Sequence, residues 1–260
     1  KPLYIHENKK FSLFISDYTP LIKNRLISDN LNMEKISEYF TFAREFDDKT
    51  IFNGIKKLSA GTYLNYDKNK GKKFVKYWNP FNKDTTKFSP ANHLVEEFNS
   101  KLLETIKLWE TAETQMSLSL SSGMDSNIIK LFLDINKSKY QGFHLNERKG
   151  FDIDRRNIKS IRLNYKEIKD LLNKFIKNSL TPFAFSHSSS TSLLQLYSYI
   201  RKKNFKFTLN GEGADEMFGG YSRYKKLLYL TKNKRKSLSD SYIHLYTNEI
   251  KCFNENLKYK

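Results

Sequence analysis

The sequence predicts an α/β fold in which a parallel sheet is flanked by helices, preceded by a β-rich N-terminal part. Residues 116–120 alternate apolar and polar side chains, and an apolar pattern with helical spacing follows at 126–133. Residues 140–145 and 205–209 have the composition of further strands, and helical patterns separate them. Strands that alternate with helices are typical of parallel sheets, because each helix returns the chain to the starting edge.

The N-terminal part, residues 1–78, has the patterns of a β-rich region. Residues 11–15 alternate apolar and polar side chains with one interruption, and residues 31–44 have a helical pattern. Residues 61–66 and 73–78 flank a short glycine-containing loop, which predicts a β-hairpin.

Turn-forming residues divide the chain into two predicted domains. Residues 79–90 carry proline and polar residues with little apolar pattern, and we interpret them as a linker between domains 1–78 and 91–260. Besides the one that starts at residue 126, helices of the second domain are predicted at 91–112, 154–178, 192–203 and in the tail from 221.

The charge balance narrows the classes of partner. The chain has 46 Lys and Arg against 28 Asp and Glu, a net charge of +18. A basic chain can bind nucleic acid, but lysine is spread along this one and arginine is scarce, so we expect no nucleic-acid partner. No apolar run of about 18 residues occurs, and Cys252 is the only cysteine. We therefore expect no membrane segment, no internal disulfide and a cytoplasmic location.

The loop at 121–126, Ser-Ser-Gly-Met-Asp-Ser, joins a strand to a helix with small residues. Small residues let backbone N–H groups approach an anion, and a following helix adds its positive dipole end. Asp125 would repel a bare phosphate, but it suits a divalent cation that the phosphates also bind. The loop therefore predicts a phosphate site with a metal ion. The alternative is an ordinary turn that Asp125 or Ser126 caps.

A second glycine turn, Gly-Glu-Gly-Ala-Asp-Glu at 211–216, follows the predicted strand 205–209. Its three carboxylates repel one another unless a cation or a substrate group neutralises them. Asp215 is the natural partner of Asp125 around Mg²⁺, since both would follow strands of one parallel sheet. The alternative is an acidic surface turn in which Glu216 interacts with a helix dipole.

The two motifs together resemble the synthetase domain of glutamine-dependent asparagine synthetases. The second motif continues as Met-Phe-Gly-Gly-Tyr to residue 221, which makes it long and specific. Upstream, residues 1–4, 51–58 and 61–64 look like the closing part of the family's N-terminal glutaminase domain. The resemblance implies a fold of the ATP pyrophosphatase type, similar to the adenine nucleotide alpha hydrolases, after a remnant of a glutaminase domain.

The resemblance also implies a chemistry. A substrate carboxylate, aspartate by default, attacks the α-phosphorus of ATP, and an acyl-adenylate forms as Mg²⁺-pyrophosphate leaves. Ammonia made from glutamine then displaces AMP and gives asparagine. The implied cofactors are ATP and Mg²⁺, and the implied partners are small molecules, with a homodimer left open.

Individual residues receive roles from the same resemblance. Glu212 would position the substrate or accept a proton, although a turn carboxylate bound to backbone N–H groups is the alternative. Asp125 and Asp215 would bind Mg²⁺. The nucleotide-binding residues would be Leu120, Ser121, Ser122, Gly123, Asp125, Ser126, Gln141, Asn210 and Gly211, with Leu120 and Gly211 lining the adenosine pocket and Gln141 near the adenine.

The chain departs from the family pattern at its two ends. The family's glutaminase nucleophile is an N-terminal cysteine, whereas residue 1 is lysine, so we expect this chain as it stands not to hydrolyse glutamine. Nothing after Tyr221 matches the family's later lysine segment, so we expect the synthetase domain to be incomplete at its C-terminus. Position 127 is asparagine where the family often has serine.

Three other functions stay open from sequence. The chain could belong to a related amidotransferase or cyclase that acts on another acceptor, because the two loops do not read the acceptor. It could bind nucleotide without catalysis. The basic charge alone favours a tRNA-modifying pyrophosphatase, which would bind tRNA in a salt-dependent way.

Overall fold

The computed structural model of the protein describes residues 2–42, 45–79, 90–110, 114–146, 157–180 and 188–234, with isolated positions at 237, 241, 242 and 245. The chain divides into two compact units. Of the main described stretches, unit 1 contains residues 2–79 and 175–180, and unit 2 contains the others. Most of the predicted linker and of the predicted C-terminal tail lies outside the described residues.

Unit 1 contains two antiparallel sheets. One has three strands in the order β2-β1-β3, and the other is the predicted hairpin, β4 and β5. The hairpin turns at Asp67, whose side-chain Oδ1 accepts the backbone N–H groups of Asn69 at 2.8 Å and Lys70 at 2.7 Å. The strands are β1 (Tyr4–Glu7), β2 (Ser12–Ile15), β3 (Ile55–Lys57), β4 (Thr62–Asp67) and β5 (Gly71–Lys76).

The core of unit 1 is aromatic. The buried ring of Tyr18 meets the rings of Tyr4 and Phe52 edge-on, with centroids 4.7 and 5.5 Å away. Tyr18 immediately precedes helix α1 (Thr19–Lys23), and helix α2 (Met33–Phe42) follows in the predicted position.

Unit 2 is built on a four-stranded parallel sheet in the order β8-β7-β6-β9. Helices pack on it and bury two apolar clusters, one around Leu118 and Leu133 and the other around Phe143 and Leu196. This confirms the predicted fold class. The elements are α3 (Ala91–Glu110), β6 (Met116–Leu120), α4 (Met124–Ile135), β7 (Tyr140–Asn146), β8 (Ile158–Arg162), α5 (Tyr165–Asn178), α6 (Ser188–Lys202), β9 (Phe207–Leu209), α7 (Ala214–Phe218) and α8 (Ser222–Lys234).

The predicted helix over 154–178 is wrong in its first part, where the structure has strand β8. Ile158 and Ile161 are three residues apart, a spacing that also occurs on one face of a helix. In the sheet they point to opposite faces, and each is buried in a different apolar cluster. Helix α4 also begins two residues earlier than predicted, at Met124.

None of the helices in the described stretches is both long and apolar enough to cross a membrane.

Candidate functional site

The order of the parallel strands brings the two predicted loops to one edge of the sheet. β6 and β9 are direct neighbours, with Met116 opposite Phe207 and Leu118 opposite Leu209. Because they run in the same direction, the loops that follow both leave at the carboxyl edge, where ligands bind in parallel sheets. The loop at 121–126 and the turn at 211–216 therefore belong to one candidate site.

Gly211 is the point of closest approach between the two loops. A Cβ atom on Gly211 would lie 2.8 Å from Cβ of Asp125 and 2.9 Å from the backbone nitrogen of Ser126. Real Cβ atoms do not come that close to other heavy atoms, so only glycine allows this contact. The two motifs touch through their backbones, which sequence spacing alone could not establish.

A buried serine locks the two strands beneath the site. Ser117 is fully buried, and its Oγ lies 2.8 Å from the carbonyl oxygen of Phe207 and 2.7 Å from Oγ1 of Thr208. A hydroxyl in such a place needs a partner, because an unpaired buried polar group costs about 1–3 kcal/mol. The signal in the sequence that could have identified this contact is a serine within an otherwise apolar strand.

The loop at 121–126 is shaped by its own hydroxyl groups. The buried Ser126 Oγ accepts the backbone N–H of Ser121 at 3.0 Å and lies 2.9 Å from Ser121 Oγ. Ser121 Oγ in turn accepts the N–H of Gly123 at 3.1 Å. Asn127, which stands where the family often has serine, donates its Nδ2 to the carbonyl oxygens of Gly123 at 2.7 Å and Ser121 at 3.0 Å.

The start of α4 bears on the alternative interpretation, in which the loop is an ordinary turn that Asp125 or Ser126 caps. The N-cap of α4 is Gly123, and no side chain forms a capping hydrogen bond there. Neither Asp125 nor Ser126 caps the helix. Ser121 Oγ binds the N–H of the N-cap residue Gly123, but no described side chain accepts the N–H groups of residues 124–126. Such an end favours an anion through its N–H groups and its dipole.

Three carboxylates of the two loops have no ion-pair partner in the described part of the chain. Among the described residues, no lysine or arginine forms an ion pair with Asp125, Glu212 or Asp215. This contrasts with the net charge of +18 over the whole chain.

The donor set fits a magnesium ion that a nucleotide helps to hold. The described stretches contain no cluster of three or more His, Cys, Asp or Glu side chains that could form a metal site of protein ligands alone. Mg²⁺ usually takes one or two carboxylates together with substrate phosphates and waters. Asp125 and Asp215 lie on neighbouring loops and could supply the one or two carboxylates that such a site needs.

The acidic turn is fixed by short-range contacts. The N–H of Glu212 donates to Oδ1 of Asn210 at 3.2 Å, and Glu212 itself is exposed. The carboxylate of Asp215 packs on Gly220 so closely that a Cβ atom there would collide with it. The motif therefore needs glycine at position 220 for a physical reason.

Glu216 is tied to the chain that follows the turn. It lies in the first turn of α7, as the alternative interpretation requires, and it accepts the hydroxyl of Tyr221 at 2.8 Å. That hydrogen bond, together with burial, raises the pKa of Tyr221 to about 12. The guanidinium of Arg223 lies over the Tyr221 ring, 3.9 Å from its centroid.

Two of the predicted nucleotide-binding side chains are not directed as expected. Gln141 lies opposite Ser117 at the amino end of β7, and its Nε2 donates to the carbonyl oxygens of Gly142 and Asn157. The structure does not bring Gln141 to the loop edge, so we leave it out of the proposed site. Asn210 does lie at that edge, but its Nδ2 donates to Tyr197 Oη at 3.3 Å and its Oδ1 holds the turn.

One residue at this edge was not identified from sequence. His144 is paired with Leu120 in the ladder between β6 and β7, and its Nδ1 lies 3.0 Å from the Leu120 carbonyl oxygen. Leu120 is the last residue of β6, so this contact holds the chain where it enters the loop.

Comparison with known proteins gives two family matches. The asparagine synthase family model matches residues 97–258, and the glutamine amidotransferase domain model matches residues 1–78.

Curated relatives are similar over most of this chain. Asparagine synthetase (glutamine-hydrolyzing) 1 of Bacillus subtilis is 24% identical over 253 residues, which are 90% of this chain and 38% of that protein. A Methanocaldococcus jannaschii protein named "Putative asparagine synthetase (glutamine-hydrolyzing) 2" is 23% identical over 237 residues, 85% of this chain and 45% of that protein. The chain thus spans less than half the length of these relatives.

Proposed function

We propose, from the premise that this chain belongs to the asparagine synthase family, that it takes part in ATP-dependent amide formation. A substrate carboxylate would attack the α-phosphorus of ATP, and ammonia would then displace AMP from the acyl-adenylate. The observation that supports this best is the contact of Gly211 with Asp125 and Ser126, because it joins a phosphate-type loop to an acidic turn.

The loop at 121–126 would hold the departing pyrophosphate. The first N–H groups of α4 and the hydroxyls of Ser121 and Ser122 are donors that suit phosphate oxygens, and the buried hydroxyl of Ser126 would hold the loop in shape. The internal hydrogen bonds of the loop keep these donors in place before ATP binds, so little reorganisation is needed as charge develops.

Asp125 and Asp215 would hold Mg²⁺ on the same phosphates. The ion would neutralise the negative charge that accumulates on the leaving pyrophosphate. The absence of a described lysine or arginine partner for either carboxylate supports this role, since a protein cation would compete with the metal.

Glu212 would act on the second half-reaction. It is exposed, and its backbone N–H is bound to Asn210 Oδ1, so the turn is fixed while the carboxylate stays accessible. A carboxylate in that position can orient the ammonia or accept a proton from the attacking nitrogen.

Aspartate and glutamine are the proposed acceptor and nitrogen source. Both curated relatives carry the name asparagine synthetase with glutamine hydrolysis, and the match to the glutamine amidotransferase domain covers residues 1–78. The loops themselves contact ATP and Mg²⁺ in this proposal, so another acceptor carboxylate would use the same machinery.

The reaction products test the proposal. The purified protein is incubated with ATP, Mg²⁺, ammonia or glutamine, and a panel of carboxylates that includes aspartate. We expect AMP and pyrophosphate, and transfer of ¹⁸O from a labelled acceptor carboxylate to AMP. Formation of ADP and phosphate, or AMP without label, would contradict carboxylate adenylation.

Matched variants test the residues. Asp125→Asn and Asp215→Asn each remove a charge at nearly constant size, and we expect kcat to fall by about 10²–10³-fold because several kcal/mol of charge stabilisation are lost. Glu104→Gln on α3 is the control. The Glu104 carboxylate is exposed, and its one ion pair in the described residues is a surface contact with Lys101 Nζ at 3.7 Å. We expect the control to keep full activity.

A further inference from the structure

Among the residues that the structure describes, none bonds to the second imidazole nitrogen of His144, Nε2, and the contact of Nδ1 defines its chemistry. Nδ1 lies 3.0 Å from the carbonyl oxygen of Leu120. A carbonyl oxygen can only accept, so Nδ1 must carry the proton. In the neutral ring Nε2 then has no proton and is a hydrogen-bond acceptor.

The strand register places His144 at the loop edge. Directly paired residues of neighbouring parallel strands share a face, so His144 and Leu120 lie on the same side of the sheet. The loop at 121–126 begins one residue after Leu120, and α4 follows it. His144 is partly exposed, and among the described residues no group donates to its Nε2.

Phosphates bound by the loop would leave the nucleoside beside the end of β6. We propose that Nε2 of His144 accepts a hydrogen bond from the nucleoside of the bound nucleotide, and that His144 is thereby a specificity-determining residue. This inference rests on the proposed function, since it presupposes that ATP occupies the loop. The donor would be an N–H or O–H group, either the exocyclic amine of adenine or a ribose hydroxyl.

The other candidate for this contact is excluded by its position. Gln141, on the same strand, lies at the amino end of β7, and its amide donates to Gly142 and Asn157 carbonyl oxygens. His144 is three residues further along the strand, at the edge where the loop begins.

Two substitutions separate contact with the ligand from support of the backbone. In His144→Asn the amide nitrogen can replace Nδ1 as donor to Leu120, but nothing replaces Nε2. In His144→Leu both are lost. We expect His144→Asn to bind ATP about 3–10-fold more weakly, the worth of one hydrogen bond, and to bind pyrophosphate as the wild type does. We expect His144→Leu to weaken the binding of both ATP and pyrophosphate, because the support of the loop is lost as well. Wild-type ATP affinity in His144→Asn would overturn the proposal.

His6 provides a matched control in unit 1. Its Nδ1 also lies near a carbonyl oxygen, that of Gly54 at 2.9 Å, but His6 belongs to the unit without the two loops. We expect His6→Leu to leave ATP affinity unchanged. An equal loss of affinity in His6→Leu would show that the effect is general destabilisation, which contradicts a direct contact by His144.

The ring nitrogens report the contact directly. In ¹⁵N-histidine-labelled protein, the signal of His144 is assigned by its loss in His144→Asn. We expect Nδ1 to be protonated, Nε2 to be bare, and the Nε2 shift to move when a non-hydrolysable ATP analogue binds but not with pyrophosphate. A bare Nδ1, or a shift with pyrophosphate alone, would contradict the assignment.

Nucleotide analogues identify the donor. Inosine triphosphate lacks the exocyclic amine, whereas 2′-deoxy-ATP and 3′-deoxy-ATP each lack one ribose hydroxyl. The analogue without the relevant donor should bind equally to wild type and His144→Asn. If ATP binds with an unmoved Nε2 signal, this inference fails and the proposed function stands. If ATP does not bind, the proposed function itself fails.

Discussion

A buried lysine in unit 1 and two loop carboxylates in unit 2 have opposite surroundings. In unit 1 the buried amino group of Lys35 lies 2.5 Å from Glu38 Oε2 and 2.9 Å from Asp47 Oδ2, so one cation is paired with two carboxylates. In unit 2 the carboxylates of Asp125 and Asp215 have no such partner in the described stretches. Paired charges stabilise unit 1, whereas the unpaired ones in unit 2 are available to a ligand.

The topologies of the units explain why they differ. The antiparallel strands β4 and β5 of unit 1 are joined by a short turn, so their contacts are local. The parallel sheet of unit 2 places residues that are far apart in sequence at one edge, as Gly211 and Asp125 show. An edge assembled in this way concentrates polar groups without pairing them.

The chain contains two tryptophans, and one lies in each unit, so the comparison can be measured. Trp78 belongs to unit 1 and Trp109 to unit 2, and both are partly exposed. In Trp109→Phe the fluorescence reports unfolding of unit 1, and in Trp78→Phe it reports unit 2. Two units need not unfold in one transition, so each reporter gives its own free energy.

The largest expected effect is that of Lys35→Met on unit 1. The substitution leaves Glu38 and Asp47 without their cation, and we expect a loss of about 2–3 kcal/mol, below the value for a fully buried pair because Asp47 is partly exposed. The measurement is urea unfolding followed by Trp78. Lys49→Met is the control, since its ion pair with Glu34 is exposed and should contribute little. Equal losses in both variants would contradict the distinction.

The next effect is that of Gly211→Ala on unit 2. The added Cβ would separate the two loops, and we expect a loss of about 1–3 kcal/mol as in other overpacked sites. Unfolding followed by Trp109 measures it, and ATP affinity should fall in parallel. Lys206→Ala, an exposed change just before β9, is the control. Unchanged ATP affinity in Gly211→Ala would show that the loops need not touch.

A smaller effect is expected from the hydroxyl pair beneath the site. Ser117→Ala removes the partner of Thr208 Oγ1 and of the Phe207 carbonyl oxygen, and we expect a loss of about 1–2 kcal/mol in unit 2. Combining it with Thr208→Val in a double-mutant cycle should give a coupling of about 0.5–1 kcal/mol. Strict additivity would mean that the two hydroxyls do not interact.

The smallest effect is a pH dependence in unit 1. Burial alone would raise the pKa of Asp47, but the hydrogen bonds from Lys35 and from the Lys49 N–H outweigh it and lower this pKa. The stability that the lowered pKa of Asp47 contributes to unit 1 is complete above the pKa of Asp47 in the unfolded chain, about 3.9. It is lost as the pH falls through the lower pKa of Asp47 in the folded protein. The stability difference between wild type and Lys35→Met should therefore shrink below about pH 4. A difference that grows in acid would contradict this sign.

The sequence predicted the parts of the fold that have a regular pattern. Strand β6, the hairpin and the loop at 121–126 followed from alternation, glycine and serine. Strand β8 did not. Ile158 is buried on one face of the sheet and Ile161 on the other, so the sequence of this strand lacks the alternation of apolar and polar residues by which a strand is recognised.

The motifs of the candidate site are visible in the sequence, whereas the tertiary contacts around side chains are not. In unit 1, Lys35 has the sequence appearance of an ordinary exposed helix residue, and only tertiary packing buries it between two acids.

In unit 2, Gln141 and His144 are three residues apart on one strand, and the register with β6 determines which one lies beside the loop. Register depends on pairing across the sheet, which one strand's own sequence does not encode.

The position of β9 also affects how the polypeptide is made. β9 is a direct neighbour of β6 in the sheet, although β7, β8 and the three helices α4, α5 and α6 are synthesised between them. At ribosomal rates of about 5–20 residues per second, the side of β6 that will receive β9 waits on the order of 10 s with its backbone unpaired. During that interval the nascent sheet has an open edge of the kind that recruits foreign strands. Docking of residues 207–209 closes this edge and brings the acidic turn to the serine loop in a single step.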